Sequence, residues 1–287
     1  TYSGGTTVTG GLFNTAASAV NALPAGRPLT IGQASTANTA RVDIGFEQTI
    51  SSLTLFARDA SAQAAIDVGS GTLTLNGDVT LLDTQDAPGN QYGAIIAAGL
   101  GGSFNLGGVV RNITLAGQNV GQTELTVNAV ITNGGINLTA NPSSTVLNAA
   151  GMVLNASAPN TYAGGTTVNA GVLTVNPSTT LGPGGLTLNN ISDVECMVRF
   201  NNPVQTLTSL DTNWLGVPKP VIELNGTALT VDEPVSSFFG GSIQGTGSLV
   251  VTGTGYLVLF GDNTYTGGTI IRAGRLQVGL GTVGSIV

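Results

Sequence analysis

The stretch Asn160-Thr-Tyr-Ala-Gly-Gly-Thr-Thr-Val-Asn-Ala-Gly-Val-Leu-Thr-Val175 decides the fold. After the glycine pair, apolar and polar residues alternate, and the alternation resumes after Ala170-Gly171. Period two over a few residues is the signature of a half-buried strand. The same phrase returns as Asn263-Thr-Tyr-Thr-Gly-Gly-Thr-Ile-Ile-Arg-Ala-Gly-Arg-Leu-Gln-Val278, and its first half as Thr1-Tyr-Ser-Gly-Gly-Thr-Thr-Val8. A glycine pair permits positive φ at a corner leading into a strand, and asparagine suits the turn before it. The motif therefore reads as turn, corner, strand, corner, strand. Its repeat-motif residues are Tyr2, Gly4, Gly5, Asn160, Tyr162, Gly164, Gly165, Asn263, Tyr265, Gly267 and Gly268.

Short alternating runs fill the intervening sequence: Gly71–Gly77, Asp78–Leu81, Glu124–Val127, Gly185–Leu188 and Ala228–Val231. The piece Phe46-Glu-Gln-Thr-Ile-Ser-Ser-Leu53 resembles Asn202-Pro-Val-Gln-Thr-Leu-Thr-Ser-Leu210. Only Ala57–Val68 offers a helical pattern, closed by Gly69 and Gly71. The tyrosines of the motif are unequally spaced, at positions 2, 162 and 265. Whole turns have therefore been gained or lost between copies, which a stacked coil tolerates and a closed barrel does not. The expectation is an all-β chain, a single β-solenoid over residues 1–287, with modules 1–159, 160–262 and a partial 263–287. At roughly 20–25 residues per rung, about a dozen rungs would stack into a rod of about 60 Å.

Composition narrows the chemistry. The chain of 287 residues holds 8 Lys and Arg, 15 Asp and Glu, no histidine and one cysteine, for a net charge of −7. Without histidine there are no histidine triads, histidine metal ligands or histidine pH switches. A single Cys196 excludes an internal disulfide framework. The acidic balance argues against nucleic acid, which calls for clustered Lys and Arg. Mean hydropathy is +0.30, yet the most apolar stretch, Ser248–Phe260, is broken by Thr252-Gly-Thr-Gly255 and is too short for a spanning helix.

The motif N-T-Y-[TSA]-G-G-T-[TI]-[VI]-x-[AG]-G-x-L-x-V resembles the passenger-associated transport repeat of bacterial autotransporters and related giant surface proteins. The stretch Phe239–Tyr265 before its last copy continues the pattern, with Gly245-Thr-Gly-Ser-Leu249 and Gly261-Asp-Asn-Thr-Tyr265. The match is nearly continuous from Asn160 to Val278, present in residues 1–15 and scattered between 16 and 150. The resemblance implies a right-handed parallel β-helix, secreted or displayed at the bacterial cell surface, with no catalytic residues and no cofactor. No membrane β-barrel follows in this sequence, and both ends fall inside the repeat. The expectation is either a segment of a longer protein or a subunit that meets a neighbour through open rungs.

Other candidates are weaker. Cys196 alternates with acids in Ser192–Phe200 and reads as a small buried hydrophobe. Leu82–Asn90 is an acidic turn that fits no calcium-loop pattern and reads as a solvated loop. Trp214 and Lys219, the only residues of their kinds, flank Pro218 in a loop that could contact a ligand. Phe238 and Phe239 are both expected in the core. The five sequons at Asn112, Asn137, Asn155, Asn190 and Asn225 are given no role. Three functions follow: a structural rod or fibre segment associating with itself or with neighbouring repeats, an adhesin passenger binding a glycan or protein, or a polysaccharide-cleaving enzyme. The last lacks paired acids at rung spacing.

Overall fold

The computed structural model describes residues 2–15, 22–34, 39–57, 63–83, 93–116, 123–140, 150–189, 191, 195–213, 219–279 and 285–286. Every strand pairing among them is parallel, and there is no helix. The strands coil into a β-solenoid. One ladder climbs from Gly11–Thr15 through Ala40–Ile44, Ala64–Asp67, Ala94–Ala97, Thr123–Val127 and Gly151–Leu154. It continues through Val172–Val175, Cys196–Phe200, Val221–Leu224 and Ser242–Gly245.

That ladder makes about nine turns between Gly11 and Gly245. The N-terminal turns are longer than the motif's own. Ala94 pairs with Leu125, 31 residues on, whereas Tyr256 pairs with Arg275, 19 residues on. Nine steps at about 4.8 Å give a rise of roughly 43 Å. Shorter ladders carry the coil onward, Ser248–Gly253 onto Thr269–Ile271 and Tyr256–Leu259 onto Arg275–Val278.

Alternation explains the core. One inward column stacks Leu29, Leu53, Val79, Ile113, Leu138, Val168 and Leu188, all within 1% exposure. Each such side chain leaving water stabilises the coil by about 1.5–3 kcal/mol. The outward column one residue along is Thr7, Thr30, Thr54, Thr80, Thr114 and Thr139. Threonine suits that place because its branched Cβ favours the strand while its hydroxyl faces water.

Two expectations are corrected. The stretch read as helical, Ala57–Val68, contains the strand Ala64–Asp67, with Ala64 and Ile66 inward. Parallel neighbours Ala40–Ile44 and Ala94–Ala97 supply its hydrogen bonds, so ladder formation overrides the alanines' helix preference. Phe239 is fully buried, but Phe238 points outward, half exposed, and stacks on Phe260 with ring centroids 6.1 Å apart. Adjacent strand residues cannot share a face.

Candidate functional site

The repeated motif builds an internal fastening. In all three copies the tyrosine hydroxyl bonds the threonine four residues on: Tyr2 to Thr6 at 2.7 Å, Tyr162 to Thr166 at 2.7 Å and Tyr265 to Thr269 at 2.5 Å. Tyr162 and Tyr265 lie in the core, whereas Tyr2, on the first turn, is exposed. Burial pushes the Tyr162 phenol up to about 12, so it stays protonated and its polar end is satisfied by Thr166. The threonine partners were not singled out from sequence, although the T of Y-x-G-G-T carried the signal.

The two glycines of the pair serve different ends. Gly165 and Gly268 hold φ near +80°, the left-handed corner that favours glycine. Gly164 and Gly267 instead lie flat against the turn before, where an added Cβ would sit 2.6 Å from the carbonyl oxygens of Gly134 and Gly247. In the first copy neither Gly4 nor Gly5 has positive φ. Gly5 is the constrained one there, facing Pro28.

Asn160 and Asn263 reach across turns, and Asn263 also bonds within its own, donating to the Gly261 carbonyl at 2.8 Å. Asn160 accepts the Ile131 N–H at 2.7 Å through Oδ1 and donates to the Thr180 carbonyl at 2.7 Å through Nδ2, tying three turns together. Asn263 accepts the Ile243 N–H at 3.0 Å. Gln48 and Gln205, the matching glutamines of the two resembling pieces, do the same for the N–H groups of Leu23 and Leu181, both at 2.9 Å. Glu233 does it for Leu210 at 3.0 Å. All five side chains are buried. Each oxygen stands in for a backbone carbonyl of the neighbouring turn and so leaves no buried donor unpaired. Asn160→Ala is therefore expected to cost about 1–3 kcal/mol, read from the urea midpoint, because the Ile131 N–H is left without its acceptor.

Asparagines also form ladders along the outside. Asn112 donates to Asp78, Asn137 to Asn112, Asn169 to Asn137 and Asn189 to Asn169, at 2.7–2.9 Å. A second ladder runs Asn128, Asn155, Asn176, with Asn201 and Asn225 bonded further along the coil. Four of the five sequon asparagines thus use the very amide nitrogen that a glycan would need, and Asn190 falls outside the described residues.

Among the described residues, the charged side chains that pair do so on the outside of the coil. Arg41 bridges Asp43 at 2.5 Å and Asp67 at 3.1 Å, and Arg199 pairs with Glu223, all on the outer surface. Burial would raise Asp67, but the N–H groups of Gly99 and Gly69 and the Arg41 charge hold it below the usual carboxylate range. Cys196 is buried, and its thiol donates to the Val168 carbonyl. Lys219 is exposed, while Trp214 and most of the acidic turn 82–90 lie outside the described residues. No cluster of three metal-ligating side chains occurs among the described residues. An open depression of about 600 Å³ beside Val109, Val110, Asn133 and Gly164 carries no titratable group. No helix among the described residues is long and apolar enough to cross a membrane.

The sequence profile of the passenger-associated-transport-repeat matches residues 152–175 and 244–278. These contain the buried Tyr162 and Tyr265 with their glycine pairs and stacked strands. Two stretches of the chain thus match the passenger-associated transport repeat. An adhesin, the BmaC autotransporter of Brucella suis biovar 1 (strain 1330), is 43% identical over 54 residues, which make up 19% of this chain and 2% of that protein. This chain therefore spans a small fraction of its relative's length. No solved structure matches it. In the matched stretches the motif's tyrosine and asparagine side chains bond inside the coil, within a turn and between turns.

Proposed function

We propose that this chain is a structural stretch of a secreted bacterial surface protein, a rod or fibre segment that spaces or builds an assembly at the cell exterior. The observation that carries this is the unbroken ladder of about nine turns, whose distinctive polar side chains are spent on holding turn to turn. Its partners are further turns, either neighbouring repeats or a second copy. On the last turn Ile271 pairs with the fully buried Val251 yet is itself 54% exposed, so a following rung would cover it. A parallel edge of unpaired N–H and C=O groups templates such addition. Head-to-tail addition is heterologous and gives open filaments.

A second reading, an adhesin passenger contacting a glycan or protein, is favoured by the relative's name and by the outward Phe238, Phe260 and Val235. Electron microscopy with light scattering across concentration separates the two. Filaments with an axial repeat near one rod length, about 45–60 Å by strand spacing, are expected for self-association. Monomeric rods at every concentration would overturn it, and retention on a glycan or matrix-protein surface, lost on Phe238→Ser, would establish the second.

A further inference from the structure

We propose that Glu233 is a proton-operated latch: with its carboxyl protonated it closes the turn between Leu210 and Phe239, and on ionisation it loosens that turn. Glu233 ends the strand Ala228–Glu233 and has no exposed surface. Its Oε1 accepts the Leu210 N–H from the turn before and the Ser237 hydroxyl from the strand ahead. Its Oε2 is buried with no hydrogen-bond partner. The same task, capturing a backbone N–H of the preceding turn, falls elsewhere to Gln48, Asn160, Gln205 and Asn263. All four are neutral amides. A carboxyl reproduces an amide's neutral acceptor only while it carries its proton.

The surroundings disfavour the charged form. Asp232 precedes Glu233 on its own strand, and Asp211 faces it from Leu210–Thr212, both acidic. The turn that follows brings up the backbone of Gly253, Thr254 and Gly255, whose last two N–H groups donate to the Glu233 carbonyl. Ser237 adds a neutral hydroxyl. Among the described residues no arginine or lysine is paired with Glu233. Burial, then the two neighbouring acids, raise its ionisation above the ordinary carboxyl value, against the opposing bonds from Ser237 and Leu210.

The sign follows from linkage. Below the unfolded value, 4.5, the carboxyl is protonated folded or unfolded and stability is unaffected. As pH rises past it, the unfolded chain releases the proton while the folded chain holds it, so stability falls until the folded group also ionises. This is opposite to a salt-bridged carboxylate, which loses stability in acid.

The test is amide hydrogen exchange on the full chain, corrected for intrinsic rate, from about pH 5 to about pH 9, a range that spans buried-carboxyl shifts. Protection at Leu210 and around Ser237 is expected to fall at least tenfold across it, while Thr166–Val175 keeps its protection. In Glu233→Gln, which supplies the amide of the sister positions, protection at Leu210 is expected to stay flat. Wild-type protection that does not change, or an equal loss in Glu233→Gln, overturns the latch. Should Glu233→Gln fail to fold, Ser237→Ala decides. Losing a donor to the carboxylate must move the loss to higher pH, and an unmoved profile overturns the proposal.

Discussion

Gly182→Ala is expected to break the middle of the coil, at a cost on the order of 3 kcal/mol or more. The new Cβ would lie 1.8 Å from the Tyr162 carbonyl oxygen and 2.9 Å from the Tyr162 ring carbon Cδ2. Neither atom can yield. The carbonyl is fixed by the turn carrying Asn160, and the ring is enclosed in the core. Relief requires prising one turn from the next, which strains the ladder that stacks Thr166–Val168 on Leu186–Leu188. Gly4→Ala is the control: its Cβ meets nothing within 4 Å, and its φ is not positive. That variant should stay within about 0.5 kcal/mol of the parent. Urea unfolding followed by far-ultraviolet circular dichroism reads both. Equal midpoints for the two variants would mean that close stacking of turns is not what the glycines secure.

The difference between Gly182 and Gly4 also marks what a sequence shows and what it hides. Strand periodicity is local, so the inward Leu186 and Leu188 and the outward Thr187 were legible from the run Gly185–Leu188 alone. The motif fixed the corner glycines and the tyrosines for the same reason. The partners were not legible, because each lies one turn away and the turns vary from 19 to 34 residues. With no constant period, nothing in the sequence says that Asn160 meets Ile131, or that Gln205 meets Leu181. The resemblance between the stretches holding Gln48 and Gln205 was visible, but their shared task appears only once register is known. Pro234 marks Asp232-Glu233 as a strand end, which it is, but says nothing of Glu233 being fully buried. Alternation would have placed it inward with Leu229 and Val231, had its charge not argued for solvent.

Tyr162→Ala and Tyr2→Ala test whether the motif acts through burial or through its sequence alone. Both tyrosines make the same hydroxyl bond to a threonine four residues on, at the same 2.7 Å. If that bond were the contribution, the two substitutions would cost alike, about 1 kcal/mol each. They differ in surroundings, since Tyr162 has no exposed surface whereas Tyr2 is 51% exposed. Truncating the enclosed ring leaves a cavity and should cost about 3–5 kcal/mol, whereas truncating the exposed one should cost less than about 0.5 kcal/mol. Tyr162→Phe keeps the ring but strands the Thr166 hydroxyl, placing it between them near 1 kcal/mol. Alkaline titration gives an independent reading. The Tyr162 phenol ionises near 12 when folded and near 10 when unfolded, so the folded chain holds a proton that the unfolded chain has lost between those values. Stability should fall there with rising pH, and the fall should be smaller in Tyr162→Phe, which has no phenol to ionise. Equal costs for Tyr162→Ala and Tyr2→Ala, with an unchanged alkaline slope in Tyr162→Phe, would show that the motif's tyrosine contributes only its local hydrogen bond. A large gap would mean that the tyrosine matters only where another turn closes over it, which is the condition the stacked repeats create.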